Sequence, residues 1–101
     1  MISKKAILID KLHQHRDKIR SLGVMKMGLF GSFLKDESIK SSSDIDFLID
    51  FVPAKKTYDN FFDLYFFLEE LTGRKIELVT RESLSPYIGP HILKEVEDVG
   101  I

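Results

Sequence analysis

The eight residues from Asp44 to Phe51 constrain the fold of this chain more than any other segment. Their sequence is DIDFLIDF, and apolar residues occupy every second position: Ile45, Phe47, Ile49 and Phe51. Because the side chains of a β-strand point alternately to its two faces, this pattern predicts a strand with one apolar face. The opposite face carries the remaining four residues: Asp44, Asp46, Leu48 and Asp50. We therefore expect helices to cover one face, while the acidic face meets solvent or a ligand.

The segments around this strand predict one small α/β (α+β) domain, in which helices cover a small mixed sheet. In chain order we expect a helix over residues 3–22, strands over 24–30 and 44–51, a helix over 58–71, a strand over 74–80 and helical turns from residue 85. Ser3 is the expected N-cap of the first helix, and Gly23 its end. Alternation in the first strand groups Met25, Met27 and Leu29 on one side. A chain of 101 residues suffices for a single domain over residues 1–101.

Aromatic residues crowd the predicted helix from Tyr58 to Leu71. Its expected apolar stripe towards the sheet is Phe61, Tyr65 and Leu68. Some of the remaining aromatic residues are then left without an obvious core to enter, from among Phe62, Phe66 and Phe67. Either the tail over residues 84–99 wraps around them, or they form an exposed patch that binds a second copy of the chain or a helical partner.

Charge and composition exclude several classes of function. Fifteen Lys and Arg residues against sixteen Asp and Glu leave a formal net charge of −1, so bulk binding of DNA or RNA is not expected. The chain has no cysteine, which excludes disulfides, Cys-based zinc sites and cysteine nucleophiles. Residues 1–20 lack the apolar core of a signal peptide, and no apolar run approaches the ~20 residues that span a bilayer. We therefore expect a cytoplasmic protein without a membrane partner.

Asp44 and Asp46 are the first candidates for chemistry. Two positions apart on a strand, they leave the same face with Cα atoms ~6.6 Å apart. Carboxylates at that separation can converge on one divalent ion or bridge two, and oxygen ligands favour Mg²⁺ or Mn²⁺ over zinc. Alternatively, the pair consists of two solvated acids on the polar face of an edge strand.

Glu77 and the pair Gly31-Ser32 add to this site. Glu77 lies in the middle of the strand over residues 74–80, where an acid is unfavourable unless its face is wet or functional. It becomes a third carboxylate if its strand pairs beside that of Asp44, although a solvent-exposed strand face explains it equally well. Gly31-Ser32 follows the first strand and can present N–H groups and a hydroxyl to a phosphate, although most such pairs are only turns.

Taken together, these segments resemble the DNA polymerase β-like nucleotidyltransferase superfamily, and the whole chain is similar to its minimal nucleotidyltransferase (MNT) branch. The matching residues are GSFLKDESIKSSSDIDFLIDF (Gly31 to Phe51), KIELVT (Lys75 to Thr80) and the tail LSPYIGPHILKEVEDV (Leu84 to Val99). The resemblance implies a two-metal transfer of a nucleotide from a nucleoside triphosphate. Members of this branch are commonly encoded with HEPN-domain ribonuclease toxins and act as antitoxins, some by adding AMP to a tyrosine of the toxin.

The resemblance also assigns roles to individual residues. Asp44 and Asp46 would bind two Mg²⁺ ions, with Mn²⁺ as an alternative, and Glu77 would be the third acid, which helps to deprotonate the attacking hydroxyl. The β and γ phosphates of ATP would be held by Gly31 and Ser32. Apart from the resemblance, Lys35 is either a solvated side chain or a charge that screens the triphosphate.

The chain departs from the family pattern at three points. Lys35-Asp36 replaces the usual Arg-Gly, and lysine cannot grip a phosphate bidentately. Eleven residues separate Ser32 from Asp44, where ten are usual, and the third acid is Glu77 rather than an aspartate.

Three functions are compatible with these features. The first is a transferase that adenylylates a protein partner, for which the resemblance suggests a HEPN toxin. The second is a catalytically weak module that neutralises such a ribonuclease by contact alone. The third is an enzyme that modifies a small molecule or RNA end, which fits less well because those relatives carry a second domain for the acceptor. A homodimer through the helix Tyr58–Leu71 is a further expectation.

Overall fold

The computed structural model describes residues 2–36 and 39–101. The helices are α1 (Lys5–Gln14), α2 (Arg16–Ser21), α3 (Ser32–Lys35), α4 (Tyr58–Thr72) and α5 (Gly89–Glu95). The strands are β1 (Val24–Phe30), β2 (Ile45–Phe51), β3 (Ile76–Thr80) and β4 (Glu97–Asp98). Short 3₁₀ turns cover Pro53–Lys55 and Arg81–Ser83.

The strands form one mixed sheet in the order β3-β2-β1-β4. Strand β1 is antiparallel to both β2 and β4, whereas β2 and β3 are parallel. Parallel neighbours need a crossover connection, and α4 supplies it between β2 and β3. The register places Asp46 beside Phe30 of β1 on one side and beside Glu77 of β3 on the other. The predicted mixed sheet covered by helices is confirmed.

The core lies on the predicted apolar face of β2. Ile45, Phe47 and Ile49 are fully buried there. Helices α1, α2 and α4 cover them with buried side chains that belong to the same cluster: Leu8, Leu12, Ile19, Leu64 and Leu68. On the opposite face of the sheet, the C-terminal tail covers part of β1. Val96 of the tail lies so close to Gly28 that a Cβ added at Gly28 would be 2.5 Å from the Val96 side chain.

The N-terminal region differs from the prediction in two ways. The helix expected over residues 3–22 is interrupted at His15. The Lys11 carbonyl accepts the backbone N–H of His15 and also lies 3.0 Å from Nδ1 of the His15 ring. The N-cap is Lys4 rather than Ser3, and the Asp36 carboxylate, distant in sequence, accepts the Lys5 N–H at 3.0 Å. A side chain from another segment therefore satisfies the donor for which a local cap was predicted.

Strand β1 has the predicted bounds, but the grouping of its side chains is wrong at one end. A bulge between Val24 and Lys26 shifts the register, so that Val24 is buried and Met25 is 53% exposed, while Met27 and Leu29 enter the core as expected. A bulge adds one residue to a strand and thereby reverses the facing of residues before it.

Helix α4 ends at Thr72, one residue beyond the predicted range of 58–71, and Gly73 caps it with φ of 69°. Its stripe is centred differently, because Leu64, Leu68 and Thr72 are buried while Phe61 and Tyr65 are only partly buried. Residues four apart in a helix lie on one face, and the leucines occupy its centre.

The C-terminal tail has the helical turns predicted from residue 85, together with one strand that was not predicted. The Ser85 hydroxyl accepts the N–H groups of Tyr87 and Ile88, but regular helix begins at Gly89, with Pro90 in its first turn. The edge strand β4 was not predicted. Within the described residues no helix is long and apolar enough to cross a membrane.

Candidate active site

Two of the predicted acids, Asp46 and Glu77, meet on the sheet face opposite the core, and the third, Asp44, is close enough to raise the pKa of Asp46. Asp46 is the second residue of β2 and is in register with Glu77 of β3. Paired residues of neighbouring strands lie about 4.8 Å apart, so the two carboxyl groups can meet. Asp44 immediately precedes β2 and is two positions from Asp46. Asp44 and Asp46 are half-buried, whereas Glu77 is exposed on the edge strand.

The electrostatics of this group are unfavourable for ionised carboxylates. The pKa of Asp46 is raised from 3.8 to about 7, first by burial and then by a hydrogen bond to Glu77 and by repulsion from Glu77, Asp44 and Glu95. Burial removes hydration from the charged form, and like charges nearby disfavour it further. Asp46 is therefore the side chain that a neighbouring cation would stabilise most.

Gly31 provides the backbone on the other side of Asp46. It has φ of 75°, which is strained for residues with a side chain, and a Cβ at this position would lie 2.1 Å from Oδ2 of Asp46. Only glycine allows the chain to pass this close to the carboxylate. The end of β1 therefore lies against Asp46 of β2, and Gly31 borders the group of acids.

Ser32 and Lys35 are the first and last residues of α3, directly after Gly31, and both are exposed. Asp36 follows with φ of 54°, a left-handed conformation that favours glycine. This conformation explains physically why glycine would suit this position. The Asp36 carboxylate is directed to the backbone of Lys5 at the start of α1, so its charge is used on a helix N-terminus.

Sequence reasoning missed two residues near this site. Glu95, the last residue of α5, accepts the Gly31 N–H at 3.2 Å and is the third acid, after Glu77 and Asp44, that raises the pKa of Asp46. Its position, 64 residues from Gly31, gives no local signal. Arg74, predicted as an ordinary strand residue, is buried and bonds to the loop before Asp44.

The donor set fits divalent metal. The contacting carboxyl groups of Asp46 and Glu77, one of them with its pKa raised to about 7, are oxygen donors of the kind that a hard cation such as Mg²⁺ prefers. Throughout residues 2–36 and 39–101, no three acidic or histidine side chains are already arranged as a ligand set. Asp46 and Glu77 would therefore have to rotate from their mutual contact towards an ion.

A mixed sheet that brings acids from two parallel strands beside a Gly-Ser turn is the architecture of a nucleotidyltransferase. The model of the nucleotidyltransferase domain family matches residues 12–99 of this chain. The chain belongs to this family, in its minimal branch, and is a nucleotidyltransferase.

Similar proteins support the assignment along most of the chain. It is 36% identical to the protein adenylyltransferase MntA of Thermococcus cleftensis over 86 residues, which cover 84% of this chain and 85% of the relative. A candidate protein adenylyltransferase of Methanocaldococcus jannaschii is 36% identical over 77 residues, covering 76% and 81% of the two chains. A solved candidate minimal nucleotidyltransferase superposes with a TM-score of 0.70 at 26% identity, covering 88% of this chain and 93% of that one. The fold also matches a chain of an MntA–HpeT toxin–antitoxin crystal structure, with a TM-score of 0.61 at 18% identity over 95% of this chain and 71% of that one.

Proposed function

We propose that this protein transfers AMP from ATP to a hydroxyl group of a partner protein, with Mg²⁺ held by Asp44, Asp46 and Glu77. The observation that carries the proposal is the raised pKa of Asp46 within a group of acids beside Gly31. Bound metal would neutralise the triphosphate and stabilise the attacking and leaving oxygens, and Mn²⁺ could replace Mg²⁺. Two relatives that are named as protein adenylyltransferases, one of them as a candidate, support a protein acceptor.

The chain's own residues would bind and orient the reactants. Gly31 and Ser32 would present a backbone N–H and a hydroxyl to the β and γ phosphates, and exposed Lys35 would approach them as a point charge. Glu77 is exposed beside Asp46 and would accept the proton of the attacking hydroxyl. Because β3 is an edge strand, an acceptor can reach Glu77 from outside the sheet.

The surface for the protein partner would be the outer face of α4. Tyr58, Phe62 and Phe66 are 85%, 51% and 60% exposed, and Phe67 is partly buried. Tyr58 and Phe62 line a groove of about 560 Å³, whose walls also include Phe61 of α4 and Leu78 of β3. Exposed aromatic residues around a groove are typical anchors of protein interfaces. Leu78 follows Glu77 on the edge strand β3, so a partner docked in this groove would lie alongside that strand.

We propose a HEPN-domain toxin as this partner, on the strength of the resemblance and of the toxin–antitoxin complex that shares the fold. A second copy of the chain is the alternative occupant. Analytical ultracentrifugation of the wild-type chain and of a Phe62→Ser/Phe66→Ser variant distinguishes the two. A wild-type monomer whose binding to a HEPN-domain protein is lost in the variant supports the toxin, whereas a wild-type dimer that dissociates in the variant supports self-association.

Transfer itself is tested with α-labelled ATP, Mg²⁺ and that partner. We expect label on the partner with wild-type protein, none with Asp44→Asn or Asp46→Asn, and reduced turnover with little change in nucleotide affinity for Glu77→Gln. Asp50→Asn is the matched control, because Asp50 lies on the same strand but binds Arg81 through two hydrogen bonds of 3.1 Å. Unchanged transfer in either Asp44 or Asp46 variant would refute the metal assignment.

A second candidate function is neutralisation of the ribonuclease by contact alone. Two observations favour it: Lys35-Asp36 replaces the family's Arg-Gly, and Glu95 occupies the Gly31 N–H. It predicts that Asp46→Asn inhibits the ribonuclease as well as wild type does, without labelling it.

A further inference from the structure

Arg74 is a buried cation at the junction between α4 and β3. It is only 6% exposed and directly follows Gly73, whose left-handed conformation ends the helix. A buried charge is unfavourable unless hydrogen bonds satisfy it. Among the described residues, the acceptors of its guanidinium group are all backbone carbonyls, those of Ile2, Lys40 and Ser43.

Two of these carbonyls belong to the turn that precedes Asp44. Arg74 Nη1 donates to the carbonyl oxygens of Lys40 and Ser43, at 2.7 and 3.0 Å. The turn is also closed internally, since the Ser43 N–H donates to the Lys40 carbonyl and the Lys40 N–H donates to the Ser43 hydroxyl. Ser43 is adjacent to Asp44, so the guanidinium group determines where the chain enters β2.

The same guanidinium group contacts the phosphate side of the site. Its central carbon lies 4.8 Å from the ring centroid of Phe33, a distance typical of a cation–π interaction. Phe33 is fully buried and immediately follows Ser32. One side chain therefore contacts the residues next to Asp44 and next to Ser32, and it lies three positions before Glu77 on the third segment of the site.

We propose that Arg74 is a positioning residue, which holds Asp44, Ser32 and Glu77 in the mutual arrangement required for transfer. The proposal rests on the proposed function for its catalytic consequence. Lysine cannot replace arginine here, because an ammonium is a point charge, whereas the planar guanidinium donates in several directions and stacks on a ring. A misplacement of about 1 Å in such a site lowers the rate by roughly 100-fold.

The test compares Arg74→Lys with Lys75→Gln, a control at the next position, where the side chain is exposed. We expect Arg74→Lys to retain wild-type circular dichroism but to lower kcat for nucleotide transfer by roughly 10- to 100-fold, with KM for ATP changed less than about threefold. Lys75→Gln should transfer at the wild-type rate. A wild-type kcat in folded Arg74→Lys would overturn the proposal.

Hydrogen exchange of the metal-free protein provides a readout that does not depend on activity. In Arg74→Lys, amides of residues 43–45 should exchange at least about tenfold faster, while those of α1 exchange as in wild type. Equal exchange at residues 43–45 would overturn the positioning role. If wild type transfers no nucleotide but the exchange difference is found, the proposed function fails and the positioning role stands.

Phe33→Leu keeps the core apolar while it removes the ring, and it provides a second variant should Arg74→Lys not fold. We expect a smaller reduction in kcat and faster exchange at the same amides. Where both variants fold, the loss of kcat in the double variant should be smaller than the product of the losses in the two single variants. The reason is that both substitutions remove the same contact, between Arg74 and Phe33. Multiplicative effects, or wild-type kcat and exchange in Phe33→Leu alone, would count against the proposal.

Discussion

Replacing Asp46 by asparagine should stabilise the metal-free protein, with a gain that depends on pH. The folded state raises the pKa of this carboxyl from 3.8 to about 7. Between these values the folded chain binds more protons than the unfolded chain, so wild-type stability falls as pH rises from about 4 to about 7. Asparagine has no such titration and avoids the penalty, while its amide can still donate a hydrogen bond to Glu77.

The magnitude follows from the pKa shift. About three pKa units correspond to about 4 kcal/mol in full. Because the carboxyl group is half-buried and screened by solvent, we expect about 1–2 kcal/mol at pH 8 and no difference at pH 4. For a domain of this size, the gain corresponds to an increase in Tm of about 5–10 °C.

Thermal and urea unfolding with a chelator present, at pH 4, 6 and 8, provide the measurement. Asp50→Asn is the control on the same strand face, and it should not stabilise the protein, because it removes the ion pair with Arg81. Millimolar Mg²⁺ should stabilise the wild-type protein and so reduce the difference in unfolding free energy between Asp46→Asn and wild type at pH 8. An Asp46→Asn variant that is less stable than wild type at pH 8, or a gap independent of pH, would refute the reasoning.

Three further predictions concern the segments around the acids. Gly31→Ala should destabilise the protein by more than about 1–2 kcal/mol in urea unfolding, because alanine would combine a strained backbone with a Cβ 2.1 Å from Asp46. A loss of stability below about 0.5 kcal/mol would contradict this prediction. Glu95→Gln should tighten binding of a non-hydrolysable ATP analogue by about two- to fivefold in calorimetry, since it removes a negative charge from the Gly31 N–H. An unchanged affinity would show that the phosphates do not use this donor. Asp36→Ala should destabilise the protein by about 1–2 kcal/mol, because alanine loses the hydrogen bond to Lys5 and still has to adopt the left-handed backbone. Asp36→Gly also loses this hydrogen bond, but glycine adopts the left-handed backbone without strain, so its stability should be within about 0.5 kcal/mol of wild type. Equal losses in the two Asp36 variants would contradict this account.

Periodicity within one segment was enough to predict most of the fold. Alternation in β2 identified the core face, because a strand exposes its two faces at successive residues whatever its neighbours are. Local sequence patterns also predicted the bounds of β1 and, to within one residue, those of α4. The grouping of Met25 with Met27 was wrong, because a bulge depends on how β1 pairs with β2, which its own sequence does not specify.

For the candidate site, too, the sequence identified individual residues, whereas the structure was needed to show which of them are neighbours. Asp44, Asp46 and Gly31 were found from the sequence, since each belongs to a motif within one segment. That Glu77 lies in register with Asp46 depends on parallel pairing through the α4 crossover.

Glu95 and Arg74 were missed because their contacts join residues more than 30 positions apart. Local periodicity reports which face a side chain occupies, but only the packing of distant segments decides which other side chains it meets. The amino-acid sequence by itself thus determined the strand that carries the acids, and the tertiary structure decided the charge environment of Asp46 and the buried cation beside its loop.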